Sequence, residues 1–495
     1  MACFLCLLIF SKPGFRQVEI EPSGWKLLAE GLAYREFFLP DPNHVYVTRL
    51  DRSVSAASIE TSLANAVLGG GLEALSAQVE RYDGSLAYWD GAWRGAFQVV
   101  AAINGGFFDP NSGELSNGFI QSGWYARRFE DRQTVGGFAW RFDRSALIVE
   151  CLVQPPGKQR VVLSEPNRSI VFDGINTRRD ADQVIIYTPQ IGAETPPAEP
   201  DQTGIEVLVE LSRPLTALPD SEPIQGTVQA VKNSLGGMNL AFDQIVLSAT
   251  GGAADRMAGN FLPGTRIGVE FEIRHLSQGC RKENVENLYN VSAAVAGGAV
   301  FLRAGVVTPL NDLGAVLRNP RTAIALDDRY VYFIVVDGRD KLNSLGMSMV
   351  ELAFFAKLRL GANWAVALDG GGSSTMVVNG EVVNHPNSET VVGAKAEKTP
   401  RGVANGLLMV VLQPEQRSNR FHPGDHVMIG TAGEANLRTG PGTNLSIQGV
   451  LAARSVGIVL EHDLNGVYAN GHYWWKAAFG ERAGWVSEAV LASEQ

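Results

Sequence analysis

Asp337 and Asp369 each close a short apolar run and stand directly before glycine, in "YFIVVDG" and "WAVALDGGGSST". Two carboxylates meeting at one cleft would supply general acid/base or glycosidic chemistry. An Asp-Gly pair is also a common turn, and the residues alone leave both readings open. Gly370, Gly371 and Gly372 add a demand of their own. Three consecutive glycines are costly to order, so the backbone there either turns sharply or admits a close neighbour. Successive exposed amides in such a turn form a nest for an anion, phosphate above all. Ser373, Ser374 and Thr375 would add hydroxyl donors. "AAINGGFFDP" repeats the theme: a buried strand, then Asn104, Gly105, Gly106 and Phe107. Its aromatics could flank a sugar ring, although core packing is the commoner fate of a Phe pair. Arg321, Arg339 and Arg401 lie near these turns, and a guanidinium fork matches phosphate oxygens, although most arginines are merely solvated.

Several chemistries drop out. The glycine loop lacks G-K-[ST] and is no Walker phosphate loop. It is not G-x-S-x-G, because Thr375 takes the last place after Ser373. No H-E-x-x-H occurs, and Pro423 and Gly424 between His422 and His426 forbid a helical metal pair. His385 follows the hairpin and is expected either near the cleft or, more commonly for such a residue, at the surface. No metal site and no cofactor is expected, with carboxylate-bound calcium or magnesium left open.

The elements around these residues read as follows. "RYVYFIVVDG" is a strand. A helix follows, opened by the capping-box pair Ser348 and Glu351. Met349, Ala353, Ala356 and Leu360 recur on one face, and Gly361 sits where a C-terminal glycine ends a helix. "WAVAL" is the next strand. Strand–helix–strand predicts a parallel pair whose C-terminal ends share one sheet edge, with both aspartates in one crevice. "VVNGEVV" is a hairpin around Asn379-Gly380 that would stiffen the glycine loop.

At 495 residues the chain exceeds one ordinary core. Hydrophobic content of 45% and charged content of 19% are globular. A net charge of −10 without a basic patch argues against nucleic acid. Abundant glycine and short Val/Ile/Ala runs favour strands and tight turns. Residues 15–50 read as strands and 53–79 as two short helices broken at Gly69–Gly71. The Pro-rich stretch 188–204 reads as a loop, and the strands after it as a β subdomain. Residues 413–424 read as a linker, and 425–495 as a compact all-β unit. The apolar residues 1–14 are either the remnant of a signal peptide or a buried first strand; they are too short to span a bilayer, and nothing else is apolar enough. Four cysteines do not decide the compartment.

"AAINGGFFDP", "NPRTAIALD", "VVDGR", "ALDGGGSSTMVVNG" and "TPRGVANGLLM", in this order, resemble the phosphodiester glycosidase family of the N-acetylglucosamine-1-phosphodiester α-N-acetylglucosaminidases. The resemblance covers 95–412. It implies an α/β (α+β) core with a mixed sheet and inserted strands, and hydrolysis of a sugar-1-phosphodiester to free sugar and phosphomonoester; residues 15–94, outside the resemblance, are expected to pack on that core. The family's motif positions fall here on Asn104, Gly105, Gly106, Phe107, Arg321, Thr322, Asp337, Gly338, Asp369 to Thr375, and Arg401. On this reading Arg321, Arg401 and the Gly370–Gly372 amides grip phosphate, Asp369 or Asp337 acts at the sugar carbon, and Asn104 orients a sugar hydroxyl. The tail, with "NLRTGPGTN" and "GWVSEAVL", resembles bacterial SH3-like domains. It implies a secreted or cell-envelope enzyme with a carbohydrate phosphodiester substrate and a cell-wall ligand for the tail. The rival expectations are a non-catalytic sugar-phosphate receptor and a metal-dependent phosphodiesterase; the lack of a histidine cluster in the sequence argues against the latter.

Overall fold

The computed structural model describes residues 24–129, 136–155, 157–163, 168–276, 285–387, 400–431 and 433–493. The segment expected as a signal remnant or first strand, 1–14, lies outside them. The described chain is sheet-rich. Its centre is an eight-stranded sheet ordered Lys26–Ala29, Leu32–Leu39, Asn43–Asp51, Tyr330–Val336, Arg321–Leu326, Trp364–Ala367, Val300–Arg303, Val306–Val307. A second sheet runs Glu381–Val382, Met376–Val378, Ala92–Asn104, Asn405–Gln413, Ala57–Leu63, with Leu86–Trp89 paired to the long strand. Both sheets are antiparallel throughout, not mixed as expected. Side chains alternate across each strand, so Phe333 and Val335 meet Ile103, Leu407 and Met409 of the facing sheet in one buried core. Burying each such side chain is worth roughly 1.5–3 kcal/mol.

Helices close the outer faces. Met349–Phe355 buries Met349, Leu352 and Ala353 against Ile334, Val336 and Ala365. Its capping box forms as the sequence suggests: Ser348 accepts from the Glu351 amide, and Glu351 accepts from the Ser348 amide. The following turn of π-helix ends at Gly361, with φ of 77°. Leu75–Tyr82 covers the other sheet through Leu75, Val79 and Tyr82. The first of the two helices expected over 53–79 is instead the strand Ala57–Leu63, paired along its length with Asn405–Gln413. Its Ile59 and Thr61 are β-branched, and pairing to a distant strand outweighs the local helical spacing.

The expected β subdomain is an eight-stranded sheet whose Val207, Leu247 and Val269 share one buried core with Ile120, Val149 and Ala294 of a neighbouring five-stranded sheet. Among the described strands it holds one parallel pair, Gly174–Ile175 with Val184–Tyr187. The 188–204 loop is tied down by buried Arg179, which donates to the Pro197 carbonyl at 2.7 Å and to Glu206 at 2.9 Å. Cys151 is disulfide-bonded. Residues 426–493 build an antiparallel sheet around Val427, Leu437, Trp475 and Val486. Trp474 and Trp485 are buried with Leu86 and Phe242 of the main body. Among the described residues no helix is long and apolar enough to cross a membrane.

Candidate functional site

The strands ending at the two aspartates are not neighbours. Arg321–Leu326 lies between them and pairs antiparallel with both. They run in the same direction two strand spacings apart, about 10 Å. The single crevice expected for Asp337 and Asp369 is therefore two separate cavities.

The first, of about 390 Å³, is lined by Asp369, Gly370, Gly371, Phe107, Arg321 and Arg339. It also holds Asp312, a carboxylate that the sequence reading passed over, whose Oδ1 caps the short helix Leu313–Val316 by accepting from the Ala315 amide at 2.9 Å. Burial is the main influence on the Asp369 carboxyl and raises its pKa above the ordinary aspartate value. Three neighbours partly offset it. The Ser373 hydroxyl lies near enough to favour the anion, though outside hydrogen-bond geometry; the Arg401 charge and the Gly370 amide act in the same sense. Phe107 keeps 43% of its surface exposed beside this cavity, which suits a ring face better than a core.

Asn104 reaches the site but spends its side chain on the protein. Its Nδ2 donates to the Asp369 carbonyl at 2.6 Å, and its Oδ1 accepts from Thr322 Oγ1 at 2.7 Å and the Thr375 amide at 3.1 Å. It joins three strand ends, and Thr322 is committed to it. The Gly105 and Gly106 amides are likewise spent within the protein. They bond to the carbonyl and side chain of Asn405, and a Cβ on Gly106 would strike the Ala296 carbonyl. Of the glycine triplet, Gly371 takes the left-handed conformation at φ 63° and gives its amide to the Pro320 carbonyl. The Gly370 amide faces the Asp369 carboxylate. Ser373, Ser374 and Thr375 are buried.

The arginines differ in the same way. Arg321 donates from Nε to the Met347 carbonyl at 2.7 Å and from Nη2 to the Gly314 and Leu317 carbonyls at 2.6 Å each. Burial lowers its pKa to about 10. Most of its fork is spent holding the loop over the cavity. Arg339 sits between the two cavities, with Nη1 on the Asn387 carbonyl at 3.3 Å. Its pKa is lowered by burial first and by the Arg401 charge second. Arg401 is exposed, 5.9 Å from the Phe108 ring.

The second cavity, of about 360 Å³, is lined by Asp337, His44, His385 and Asn387. Asp337 is buried and fully engaged. Its Oδ1 accepts from Asn384 Nδ2 and the His385 amide at 3.0 Å each, and its Oδ2 accepts from the Tyr46 hydroxyl at 3.0 Å. The Tyr46 hydroxyl also lies 2.8 Å from His44 Nδ1 and 3.0 Å from His385 Nδ1. Burial, with the Asp337 charge, raises the phenol pKa steeply. The histidine cluster missing from the sequence pattern thus exists in space. Both placements expected for His385 hold at once: its side chain is 60% exposed and it stands beside Asp337. His44 and Tyr46 share one strand face by their two-residue spacing, the one local signal that could have found them.

Among solved structures the chain is similar to a Burkholderia pseudomallei K96243 protein described as exported (22% identity, 74% of each chain, TM-score 0.47). It is similar to a hypothetical protein from Synechocystis (16%, 77% of this chain and 62% of that chain, TM-score 0.48). It is also similar to the catalytic domain of zebrafish N-acetylglucosamine-1-phosphodiester α-N-acetylglucosaminidase, auto-inhibited by its pro-peptide (14%, 79% and 86%, TM-score 0.35). No curated protein matches it. The family model described as phosphodiester glycosidase matches residues 243–410, the segment that carries Asp312, Arg321, Asp337, Arg339, Asp369 and Arg401.

Proposed function

We propose that the Asp369 cavity hydrolyses the glycosidic C–O bond of a sugar-1-phosphodiester, of the N-acetylglucosamine-1-phosphodiester kind, to free sugar and a phosphomonoester. The observation that carries this is a desolvated carboxylate sharing its cavity with the Arg339 guanidinium, with the Arg401 charge close enough to act on both. The Arg401 charge makes that of Arg339 costlier, and a phosphate beside Arg339 would relieve that cost. A phosphodiester is a good leaving group, so the site needs anion grip and charge stabilisation more than strong acid assistance. Asp369 would act at the anomeric carbon, as nucleophile or as base for water, and a raised pKa suits the base role. Asp312 is the second carboxylate of that cavity, and Phe107 would back the sugar ring. The phosphodiester glycosidase family match over 243–410 supports the reading.

The disulfide at Cys151 fits an oxidising, exported setting. We read residues 425–495 as an SH3-like unit with a cell-wall ligand, although its Trp474, Trp475 and Trp485 are buried, which leaves other surfaces to bind it. Incubation with a panel of sugar-1-phosphodiesters, scored for free sugar, tests the main reading. Release is expected from an N-acetylglucosamine-1-phosphodiester. Binding without release would make the protein a receptor, and label from ¹⁸O-water appearing in the phosphate instead of the sugar would make it a P–O phosphodiesterase.

A further inference from the structure

We propose that His44, Asp337 and His385 bind a divalent transition-metal ion of the zinc class, with a coordination position open toward the adjoining cavity. Their ligand atoms, one from each side chain, lie within 4.8 Å of one another. His385 Nδ1 is 3.3 Å from Asp337 Oδ2, close to the edge of about 3.3 Å in a tetrahedron with bonds of about 2.0–2.1 Å. Two imidazoles and one carboxylate are a donor set that suits zinc and its first-row neighbours, and not calcium or magnesium, which take all-oxygen shells.

The surroundings orient these donors as metal ligands are usually oriented. His44 Nε2 lies 2.9 Å from Glu36 Oε2; an Nε2–H donated there leaves the Nδ1 lone pair facing the cluster, the carboxylate–histidine arrangement that supports bound metals. Asn384 and the His385 amide hold Asp337 through Oδ1, so its Oδ2 faces the histidines. The Tyr46 hydroxyl sits within 3.0 Å of one atom of each ligand, placed to coordinate or to bond to a metal-bound water. The exposure of the His385 ring opens one side to solvent, as in a site that keeps an exchangeable position rather than a closed structural one. The inference stands on this cluster alone and does not depend on the reaction assigned to Asp369.

The full chain, stripped with chelator, is titrated calorimetrically with zinc chloride, and the bound metal is counted by elemental analysis after gel filtration. One equivalent is expected in the unaltered protein. His385→Ala, which replaces a largely exposed side chain and keeps the fold by circular dichroism, should weaken that site on the order of 100-fold or more, and Glu36→Gln about 10-fold. A His44→Ala/His385→Ala double variant that binds as much zinc as the unaltered protein, whether both bind it or neither does, overturns the proposal.

Discussion

Asp337 and Asp369 end strands that run the same way on one sheet, yet their carboxylates live in different worlds. Asp337 accepts from the Asn384 carboxamide, the His385 backbone amide and a phenol, so its charge is met by hydrogen bonds. Asp369 is desolvated, carries a raised pKa, and shares its cavity with Asp312 and Arg339, with Arg401 close by. A carboxylate whose acceptors are all satisfied holds structure or a metal; one kept partly unsatisfied retains basicity for chemistry. Two aspartates that look alike in sequence thus divide into one held by hydrogen bonds and one left desolvated. The division makes opposite demands on the same substitution.

Asp369→Asn should reduce free-sugar release by about 10²–10⁴-fold while leaving the melting temperature near or above that of the unaltered protein. Retained turnover would remove Asp369 from the chemistry and collapse the contrast. Asp337→Asn should do the reverse to the fold. Its amide would turn an NH₂ toward donors, leaving a buried pair unsatisfied at a cost of about 1–3 kcal/mol in denaturant unfolding. An unchanged midpoint would mean that the Asn384 and His385 contacts do not hold that edge. Arg401→Gln is the milder probe of the Asp369 side. Because Arg401 is exposed, loss of its charge should raise KM about tenfold with kcat little altered, far below what a buried ion pair would cost. A kcat loss with KM unchanged would move Arg401 from substrate grip to transition-state stabilisation.

Much of this arrangement is legible locally and some of it is not. The Ser348–Glu351 cap, the Gly361 terminus and the apolar face of the helix between them follow from spacing, because helix signals act over four residues. The strands around Asp337 and Asp369 are legible for the same reason. Their order is not. Arg321–Leu326 inserts between them through pairing that no local pattern encodes, and that insertion turns one expected crevice into two cavities. Asn104 and Gly106 stand out as unusual, but their type cannot say whether amide and carboxamide serve a ligand or the fold; Asn405, some 300 residues away, decides it for Gly106. His44 was hidden because its partners, Asp337 and His385, are equally distant in sequence.

The smallest effect is also the one that follows most directly from burial. The folded pKa of Asp369 lies above its unfolded value, so the native state holds the proton more tightly. Below the unfolded pKa both states are protonated, and the group costs nothing. As pH rises through the unfolded and then the folded pKa, the native state must ionise a carboxylate it has partly desolvated, and stability falls. Above the folded pKa the full penalty is present. Asn carries no such charge. The stability difference between Asp369→Asn and the unaltered protein should therefore favour the variant at neutral pH and shrink as pH falls through the acid range, read from paired denaturation curves across that window. Asp337 is the control, because its carboxylate is met by hydrogen bonds: Asp337→Asn should be the less stable protein at neutral pH. If both variants gained stability at neutral pH, the two carboxylates would be equally strained, and only the chemistry itself would distinguish them.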